Sequence, residues 1–360
     1  IPYKKRIKIL SNLDLMWLFI TKLSLKYIKK IKPDIIHLIN FEPIFYNSFF
    51  IKFFFPKIKI VTTVNGPLFG CFTQSAIDYK GDTCTKCRVT KRMKCSKNQW
   101  GSFFGGLYYL YSIWYMNLLK FSYKYIDKFF VVSDAMKPLL TSMGVSNSKI
   151  TKIYNPIQEP RKIKLSVSQI KKKYTIKQKK VILFAGRLAK EKGIHHVINA
   201  MKKIEDTIFL IVGNKRGDYN YFKEIVLKNK LDKKVRFLGF IKHDDLQELY
   251  KITDLVVLPE TFYEPLSRLL LEAASYGIPT IATDIGGNSE IIQDGKTGIL
   301  IKKQEFGKLN VIIKNILIDK NKRNLMSENA KLQIRNSFLD DNISKKYNKN
   351  YNNIYRKSNK

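Results

Sequence analysis

Short apolar runs alternate with amphipathic stretches along most of the chain. Val181–Ala185 and Ile208–Val212 are continuous apolar runs, each followed directly by glycine. Later stretches place apolar residues at helical spacing, as with Leu246, Leu249 and Tyr250. Continuous apolar runs are typical of strands buried on both faces of a parallel sheet, and crossover helices connect such strands. The pattern therefore predicts an α/β chain with parallel sheets.

The length of 360 residues suits two domains better than one core. We expect a first domain at 1–157, a lysine-rich polar linker at 158–178 and a second domain at 179–340. Ile343, Tyr347, Tyr351 and Ile354 share one helical face, which predicts a final helix within 341–360. The first-domain elements are predicted as a helix at 14–30, strands at 34–40, 58–64, 127–132 and 149–154, and a helix at 134–143.

One carboxylate, Glu264, is expected just before an apolar helix, and a second, Glu272, lies inside that helix. Pro265 suits the first helical position, so we expect the helix to begin there. Free N–H groups at such a helix start suit a phosphate, and the two carboxylates could accept hydrogen bonds from hydroxyls on either side of it. A diphosphate between two hydroxyl-rich groups describes a nucleotide sugar. The alternative is a helix-capping Glu followed by a half-buried Glu paired to a lysine.

A second motif follows the apolar run that ends at Gly186. Arg187 and Lys192 come next, before a helix expected near Ile194. This is the strand, turn and helix order that α/β folds use to bind ligands at strand ends, and two cations there could neutralise a diphosphate. The alternative is a glycine turn carrying solvated basic residues.

Both motifs, in this order, resemble those of the retaining GT-B glycosyltransferases of family 4, with the likeness running from Val181 to Ile301. The resemblance implies two Rossmann-like domains facing each other across a cleft. It implies transfer of a sugar from a UDP- or GDP-sugar to a hydroxyl acceptor, with Glu264, Arg187 and Lys192 as catalytic residues and no metal required for catalysis. It also implies that Glu272 holds the ribose and that the final helix packs on the first domain. The remaining donor-binding candidates are Gly186, Gly213, Asn214, Gly239, Phe240, Leu266 and Ser267.

The first domain carries two acceptor-side candidates, His37 and Asn65. Asn65 stands where the family has a histidine, and an amide cannot take up a proton. His37 has a second interpretation, as a core histidine with satisfied hydrogen bonds. The family opens with a strand and a glycine-rich loop that have no counterpart here, so we expect the sequence to lack an N-terminal part of this domain.

All four cysteines, Cys71, Cys84, Cys87 and Cys95, lie in one insert at 71–95. Four thiolates, two of them at the spacing of a metal knuckle, would suit a structural zinc without a catalytic role. Two disulfides, free thiols or a phosphate-binding basic patch remain open alternatives.

The formal net charge is +37, from 66 Lys and Arg against 29 Asp and Glu. Such an excess attracts anions, including an anionic membrane surface. The alternative explanation for the abundance of lysine, and the one we favour, is a coding bias. The uncharged stretch Trp100–Leu119 leaves three alternatives open: a buried helix, a membrane-docking helix and a membrane span. We expect a cytoplasmic protein, peripheral at the membrane, with a lipid-linked acceptor as one option and no specific nucleic acid. An epimerase, a phosphorylase and a degenerate basic binding protein remain as alternative functions.

Overall fold

The structure, a computed structural model, describes residues 15–39, 44–73 and 76–358. The chain divides into two compact units. The first contains the residues up to Tyr154 together with Ile343–Lys360, and the second contains Asn155–Asn342. The segment 158–178, expected as a linker, lies in the second unit and includes a helix at Val167–Lys173.

The first unit is built on a four-stranded parallel sheet whose strands follow one another in chain order. Each strand lies inside the range predicted for it, although position 40, one predicted end, is outside the described residues. The strands are β1 (Ile35–Leu38), β2 (Lys59–Val64), β3 (Lys128–Val131) and β4 (Ile150–Lys152).

Within the described residues, six α-helices accompany this sheet. The first of them was predicted to begin at residue 14, which is not among the described residues, and it is helical from Leu15. The helices are α1 (Leu15–Ile31), α2 (Ile44–Phe54), α3 (Val89–Trp100), α4 (Ser102–Ser122), α5 (Lys137–Ser142) and, at the chain end, the helix Asp340–Ser358.

The second unit is a six-stranded parallel sheet with the order β10-β9-β8-β5-β6-β7. This is the doubly wound order, in which the chain starts in the middle, builds one half and then returns to build the other. The reversal therefore falls between the neighbouring strands β5 and β8. The strands are β5 (Lys180–Ala185), β6 (Thr207–Val212), β7 (Val235–Gly239), β8 (Leu255–Leu258), β9 (Thr280–Thr283) and β10 (Gly298–Ile301).

Eight helices accompany this second sheet. The four inner strands β5, β6, β8 and β9 are buried along most of their length, because helices pack on a sheet whose strands are continuous apolar runs. The helices are α6 (Val167–Lys173), α7 (Ile194–Ala200), α8 (Tyr219–Lys228), α9 (His243–Ile252), α10 (Arg268–Ser275), α11 (Asn288–Ile291), α12 (Leu309–Ile318) and α13 (Lys320–Ser337). The helix Asp340–Ser358 follows as α14.

Helix α14 buries its apolar face in the core of the first unit. Ile343 is buried with Val61 and Phe130, and Tyr347 and Tyr351 pack against the same cluster. The rings of Tyr347 and Tyr351 lie 5.2 Å and 6.0 Å from the Phe130 ring, edge to face. The helical spacing seen in the sequence thus corresponds to one packed face.

Helix α4 covers most of the uncharged stretch Trp100–Leu119. Tyr108, Ser112, Met116 and Leu119 lie on its buried face. Among residues 15–39, 44–73 and 76–358, no helix has both the length and the apolar character needed to cross a membrane.

The packing of Phe130 gives a stability prediction for the first unit. Phe130→Ala should lower the free energy of unfolding by about 3–5 kcal/mol, because it removes a fully buried ring and leaves a cavity. Thermal and urea unfolding would measure the change. Phe54→Ala in the same unit is the control, since Phe54 is largely exposed and its loss should change stability by less than about 0.5 kcal/mol. Equal effects of the two substitutions would contradict the packing described for α14.

Candidate functional site

Glycine residues stand at the carboxyl ends of strands β5, β6 and β7 of the second sheet, and hydrogen bonds connect these strand ends. Gly186 and Gly213 follow β5 and β6, and their N–H groups donate to Val212 O and Gly239 O, both at 2.9 Å. A Cβ on Gly213 would lie 2.3 Å from the Gly186 carbonyl oxygen, so only glycine fits at that position. In doubly wound sheets the crevice at the carboxyl ends, beside the reversal point, is where ligands bind.

The loop after β5 is fastened to the loop after β8. Gly193 has φ +71°, and a Cβ there would lie 1.8 Å from the Pro259 carbonyl oxygen. The Thr261 N–H donates to Glu191 O at 2.8 Å. This backbone contact brings Lys192 to the carboxylates that follow β8, although the two loops are far apart in sequence.

Lys192 lies between two carboxylates. Its Nζ is 2.6 Å from Glu260 Oε1 and 2.7 Å from Glu264 Oε2. Glu260 is fully buried, whereas the side chains of Lys192 and Glu264 keep 17% and 14% exposure. Lys192 Nζ also lies 4.4 Å from the centre of the Phe262 ring. We call Lys192, Glu260 and Glu264 the ion cluster; it joins two of the three predicted catalytic residues.

The electrostatics of the ion cluster follow from its burial. Burial raises the pKa of Glu260 to about 8; Lys192 offsets this in part, and the neighbouring Glu264 charge adds to it. Burial alone would lower the pKa of Lys192, but the two carboxylates outweigh that effect and raise it. Lys192 therefore stays cationic, and Glu260 takes up a proton more readily than an exposed carboxylate would.

Sequence reasoning missed Glu260. Its Oε2 accepts a hydrogen bond from Asn288 Nδ2 at 3.3 Å, and Asn288 also donates to Thr283 O at 3.0 Å. The signal was available, because Glu260 directly follows the apolar run that ends at Pro259, at the carboxyl end of a buried strand. A carboxylate there is uncommon unless it is paired.

The Glu264 backbone is held by a glycine pair. Gly286 has φ +60°, and a Cβ there would lie 1.9 Å from the Glu264 carbonyl oxygen. The Gly287 N–H donates to that same oxygen at 2.8 Å. Glu264 is thus positioned from its backbone as well as through Lys192.

Arg187, the third predicted catalytic residue, lies outside the ion cluster. Its Nη2 is 2.7 Å from Glu191 Oε1 in an exposed i,i+4 pair. Exposed pairs of this kind contribute little stability. Arg187 is therefore easily released toward an incoming anion.

The helix that carries Glu272 begins three residues later than predicted. Helix α10 begins at Arg268, and Ser267, not Pro265, marks its start: the Ser267 hydroxyl caps the Leu270 N–H at 3.5 Å. Serine is a strong capping residue because its oxygen satisfies a free N–H, and here it prevails over the proline signal. Leu266 and Ser267 are both buried. Glu272 consequently lies one turn into the helix.

Glu272 has partners of its own. Its Oε2 accepts from the Tyr250 hydroxyl at 2.6 Å, and Arg268 Nη2 lies 3.6 Å from its Oε1. Burial and the Glu272 charge raise the pKa of Tyr250, so the phenol remains a donor. Tyr276 stacks on Tyr250 at 5.1 Å.

Glu272 lines a polar cavity of about 350 Å³ within the second unit. Lys192 and Glu264 do not line it, so the two carboxylates of the motif lie in distinct surroundings. Several side chains around the cavity could donate or accept hydrogen bonds. They include Arg161, His243, Gln247, Tyr250, Arg268 and Tyr276.

The other donor-side candidates lie at strand ends. Gly239 closes β7 with φ +75°, and Phe240 next to it is 75% exposed. Asn214, after Gly213, is also exposed. Like Gly186, these residues lie at the carboxyl ends of strands in the second sheet.

The acceptor-side candidates belong to the first unit. Asn65 is exposed directly after β2. Both ring nitrogens of His37 have partners, with Nδ1 2.7 Å from the Tyr351 hydroxyl and Nε2 2.8 Å from Thr63 Oγ1. Burial lowers the pKa of His37. This geometry matches the core-histidine interpretation better than a role toward a ligand.

The four cysteines are free thiols. Burial raises the pKa of Cys84 and Cys87, and raises that of Cys95 to about 11. Residues 74 and 75 of the insert are not described, and among the described residues no three His, Cys, Asp or Glu side chains form a group that could hold a metal ion. The raised pKa values of these three thiols favour their protonated form.

Comparisons with known proteins agree with this fold. The structure is similar to HepE from Anabaena in complex with UDP and glucose, with a TM-score of 0.72, 19% identity, and coverage of 92% of this chain and 82% of that one. It is also similar to sucrose-phosphate synthase from Thermosynechococcus elongatus, with a TM-score of 0.74, 19% identity, and coverage of 99% and 80%. At these identities the likeness concerns the fold, and it confirms the predicted class of two Rossmann-like parallel-sheet domains.

Curated relatives match over part of the chain. An uncharacterized glycosyltransferase of Methanocaldococcus jannaschii is 34% identical over 168 residues, which is 46% of this chain and 43% of that protein. The N-acetyl-alpha-D-glucosaminyl L-malate synthase of Bacillus anthracis is 28% identical over 244 residues, or 67% and 63%. The chain spans about half the length of the curated relatives it matches first.

Two family models cover most of the chain. Residues 2–160 match Glycosyltransferase Family 4, and residues 166–333 match Glycosyl transferases group 1. The second match contains the whole stretch Val181–Ile301 on which the sequence resemblance was based. The chain therefore has the GT-B fold, and each of its two halves is similar to a different glycosyltransferase family model.

Proposed function

We propose that this protein transfers a sugar from a nucleoside-diphosphate sugar to a hydroxyl acceptor, with retention of configuration at the sugar. The observation that carries the proposal is the ion cluster at the reversal point of the second sheet. Its cation stands at the carboxyl ends of strands that finish in glycine, where a diphosphate can approach the backbone. Similar structures in complex with UDP and with UDP-glucose support a UDP-sugar as the first donor to test.

In this proposal Arg187 and Lys192 stabilise the charge that develops on the departing diphosphate. Arg187 exchanges its exposed partner Glu191 for phosphate oxygens, which a planar guanidinium binds with two parallel hydrogen bonds. Lys192 is held in place by Glu260 and contributes a fixed positive charge. This is transition-state electrostatics supplied by side chains.

Glu264 and Glu272 would hold the two sugars of the donor. Glu264 has one oxygen on Lys192, and its other oxygen could accept from hydroxyls of the transferred sugar. Glu272 is oriented by Tyr250 and faces the polar cavity, where ribose hydroxyls could donate to it. The backbone at Leu266–Ser267, at the start of α10, would lie toward the phosphates.

The bond changes of the reaction balance without a protein nucleophile. The bond from the sugar's anomeric carbon to the phosphate oxygen breaks, and a bond to the acceptor oxygen forms on the same face. The acceptor's proton passes to the departing phosphate oxygen. Asn65 takes no proton in this scheme, since an amide is not a base, but its side chain could hydrogen-bond the acceptor.

The acceptor is a hydroxyl compound in this proposal. A lipid-linked saccharide is the class we favour, because the strongly basic chain is attracted to an anionic membrane surface where such compounds reside.

The donor site predicts selective nucleotide binding. Glu272→Gln should weaken the binding of the preferred nucleotide about tenfold or more, because ribose hydroxyls would lose a charged acceptor. Calorimetric titration with UDP, GDP and ADP would measure this. Glu328→Gln, on the exposed surface of α13, is the matched control and should bind as the unaltered protein does. Weak binding of all three nucleotides that salt abolishes would contradict the proposed donor site.

The diphosphate role of Arg187 predicts a loss of turnover. Arg187→Ala should reduce acceptor-dependent release of the nucleoside diphosphate about a hundredfold to a thousandfold, because a charged donor to the leaving group is removed. The fold should be unaffected, since Arg187 is exposed. Arg335→Ala, exposed on α13, is the control. Release of the nucleotide without acceptor would indicate an epimerase, and dependence on inorganic phosphate a phosphorylase; either result would replace the proposal.

The buried carboxylate predicts a pH dependence of stability. The pKa of Glu260 is raised from 4.5 to about 8, so the folded state holds a proton that the unfolded state has released. Its favourable contribution is complete below about pH 4.5 and is lost as the pH rises to about 8, with a slope near 1.4 kcal/mol per pH unit.

Urea unfolding of the unaltered protein and of Glu260→Gln between pH 5 and about 8 would test this, since glutamine does not titrate. The difference in unfolding free energy between the two proteins should change in favour of Glu260→Gln as the pH rises. A pH-independent difference would show that Glu260 remains ionised throughout and that Lys192 neutralises it fully.

A further inference from the structure

Helix α4 presents a row of exposed apolar side chains in the part of the chain that the structure describes. Its exposed members are Phe104, Leu107, Leu110, Trp114 and Phe121, with exposures between 41% and 65%. Their spacing of three, three, four and seven residues places them on one side of the helix. The face extends for about 25 Å, at 1.5 Å per residue. We call these five residues the α4 apolar face.

The α4 apolar face continues onto the end of α2 through a series of aromatic ring contacts. Phe121 lies 6.1 Å from Phe49, which lies 6.2 Å from Phe53, and Phe53 lies 5.0 Å from Phe54. Phe53 and Phe54 are 69% and 56% exposed. Exposed apolar surface of this extent is unusual in a protein that meets only water, and it marks an interaction site.

The stretch of chain that contains α4 carries positive charges only. Residues 83–126 contain no Asp or Glu. Lys124 Nζ lies 5.8 Å from the centre of the Phe121 ring, and Lys120 next to it is exposed. The basic residues of this stretch are Lys86, Arg88, Lys91, Arg92, Lys94, Lys97, Lys120 and Lys124.

The combination fits an anionic lipid bilayer. Aromatic side chains favour the boundary between lipid headgroups and acyl chains, and lysines beside them contact anionic headgroups. The opposite side of α4 is buried in the first unit, which lets the helix lie along the membrane surface and not across it.

We propose that the α4 apolar face, with Phe53 and Phe54 of α2, docks the first unit onto an anionic membrane surface. Binding combines burial of apolar side chains with attraction between lysines and anionic lipids, so both contributions are needed for full affinity. An acceptor linked to lipid would then be presented at the surface to which the protein binds.

Vesicle flotation tests the docking surface directly. The protein should bind vesicles of phosphatidylcholine mixed with phosphatidylglycerol, and bind phosphatidylcholine vesicles at least about tenfold less. The triple substitution Leu107→Ser, Leu110→Ser and Trp114→Ser should reduce binding to the mixed vesicles about tenfold or more, because these side chains enter the headgroup boundary. Thermal unfolding would check that the variant is folded.

The second unit offers a matched control. Ile318→Ser, Leu325→Ser and Leu332→Ser remove three side chains of comparable exposure, and this variant should bind as the unaltered protein does. A second variant, Lys120→Gln with Lys124→Gln, keeps the apolar face and should bind less than the unaltered protein to mixed vesicles only.

Three outcomes would overturn the docking proposal. In the first, the protein does not bind mixed vesicles. In the second, the first triple variant binds them as well as the unaltered protein, which would leave only unspecific attraction by the net charge. In the third, the control variant loses as much vesicle binding as the first triple variant. Sedimentation showing a dimer that the first triple variant dissociates, without vesicle binding, would assign the face to contact between two copies. No donor or acceptor is present, so these results are independent of the transferase assay.

Discussion

The ion cluster of Lys192, Glu260 and Glu264 is the interaction on which the second unit's site depends. A buried carboxylate is strongly unfavourable unless it is paired, so Glu260 requires Lys192, and Lys192 is thereby fixed at the carboxyl edge of the sheet. Glu264 completes the cluster from the less buried side. Because Lys192 has both carboxylates as partners, its position is fixed from the buried side and from the less buried side.

The backbone makes this cluster possible before any charge is considered. Gly193 lets the loop after β5 touch the loop after β8, and Gly286 lets a third loop touch the Glu264 carbonyl. A side chain at either glycine would collide with a backbone carbonyl group and push the loops apart. Lys192 would then lose the short contacts that stabilise two acidic groups, so close backbone packing and electrostatics act together.

In the first unit, by contrast, a polar side chain forms hydrogen bonds inside the unit itself. His37 directs its ring nitrogens to Thr63 and Tyr351, and the final helix supplies the tyrosine. That histidine therefore contributes to holding α14 in the core of the first unit, beside Phe130. The exposed chemistry of this unit is instead the aromatic and basic surface of α2 and α4. The two proposals, donor binding and docking at a membrane surface, thus concern different units of one chain.

Much of the fold and part of the site could be predicted from sequence, because these features are local. Continuous apolar runs predicted the parallel strands, and helical spacing predicted the packed face of α14. Glycine after a strand indicated the carboxyl edge of the sheet as the candidate ligand site. The family motifs singled out Lys192 and Glu264 as candidates, and the structure brings these two side chains together. The helix start at Ser267 was predicted wrongly, since a capping hydroxyl competes with proline over a few residues and sequence alone does not rank the two.

The sequence by itself therefore determined the class of fold, most of the strands and helices that compose it, and the residue types at the carboxyl ends of the strands. Only the tertiary structure decided that Glu260 pairs with Lys192, that Glu272 takes Tyr250 as its partner and that His37 is occupied inside the first unit. The physical reason is topological. β5 and β8 are neighbours in the sheet but distant in the chain, so contacts between their loops exist only once the sheet has assembled.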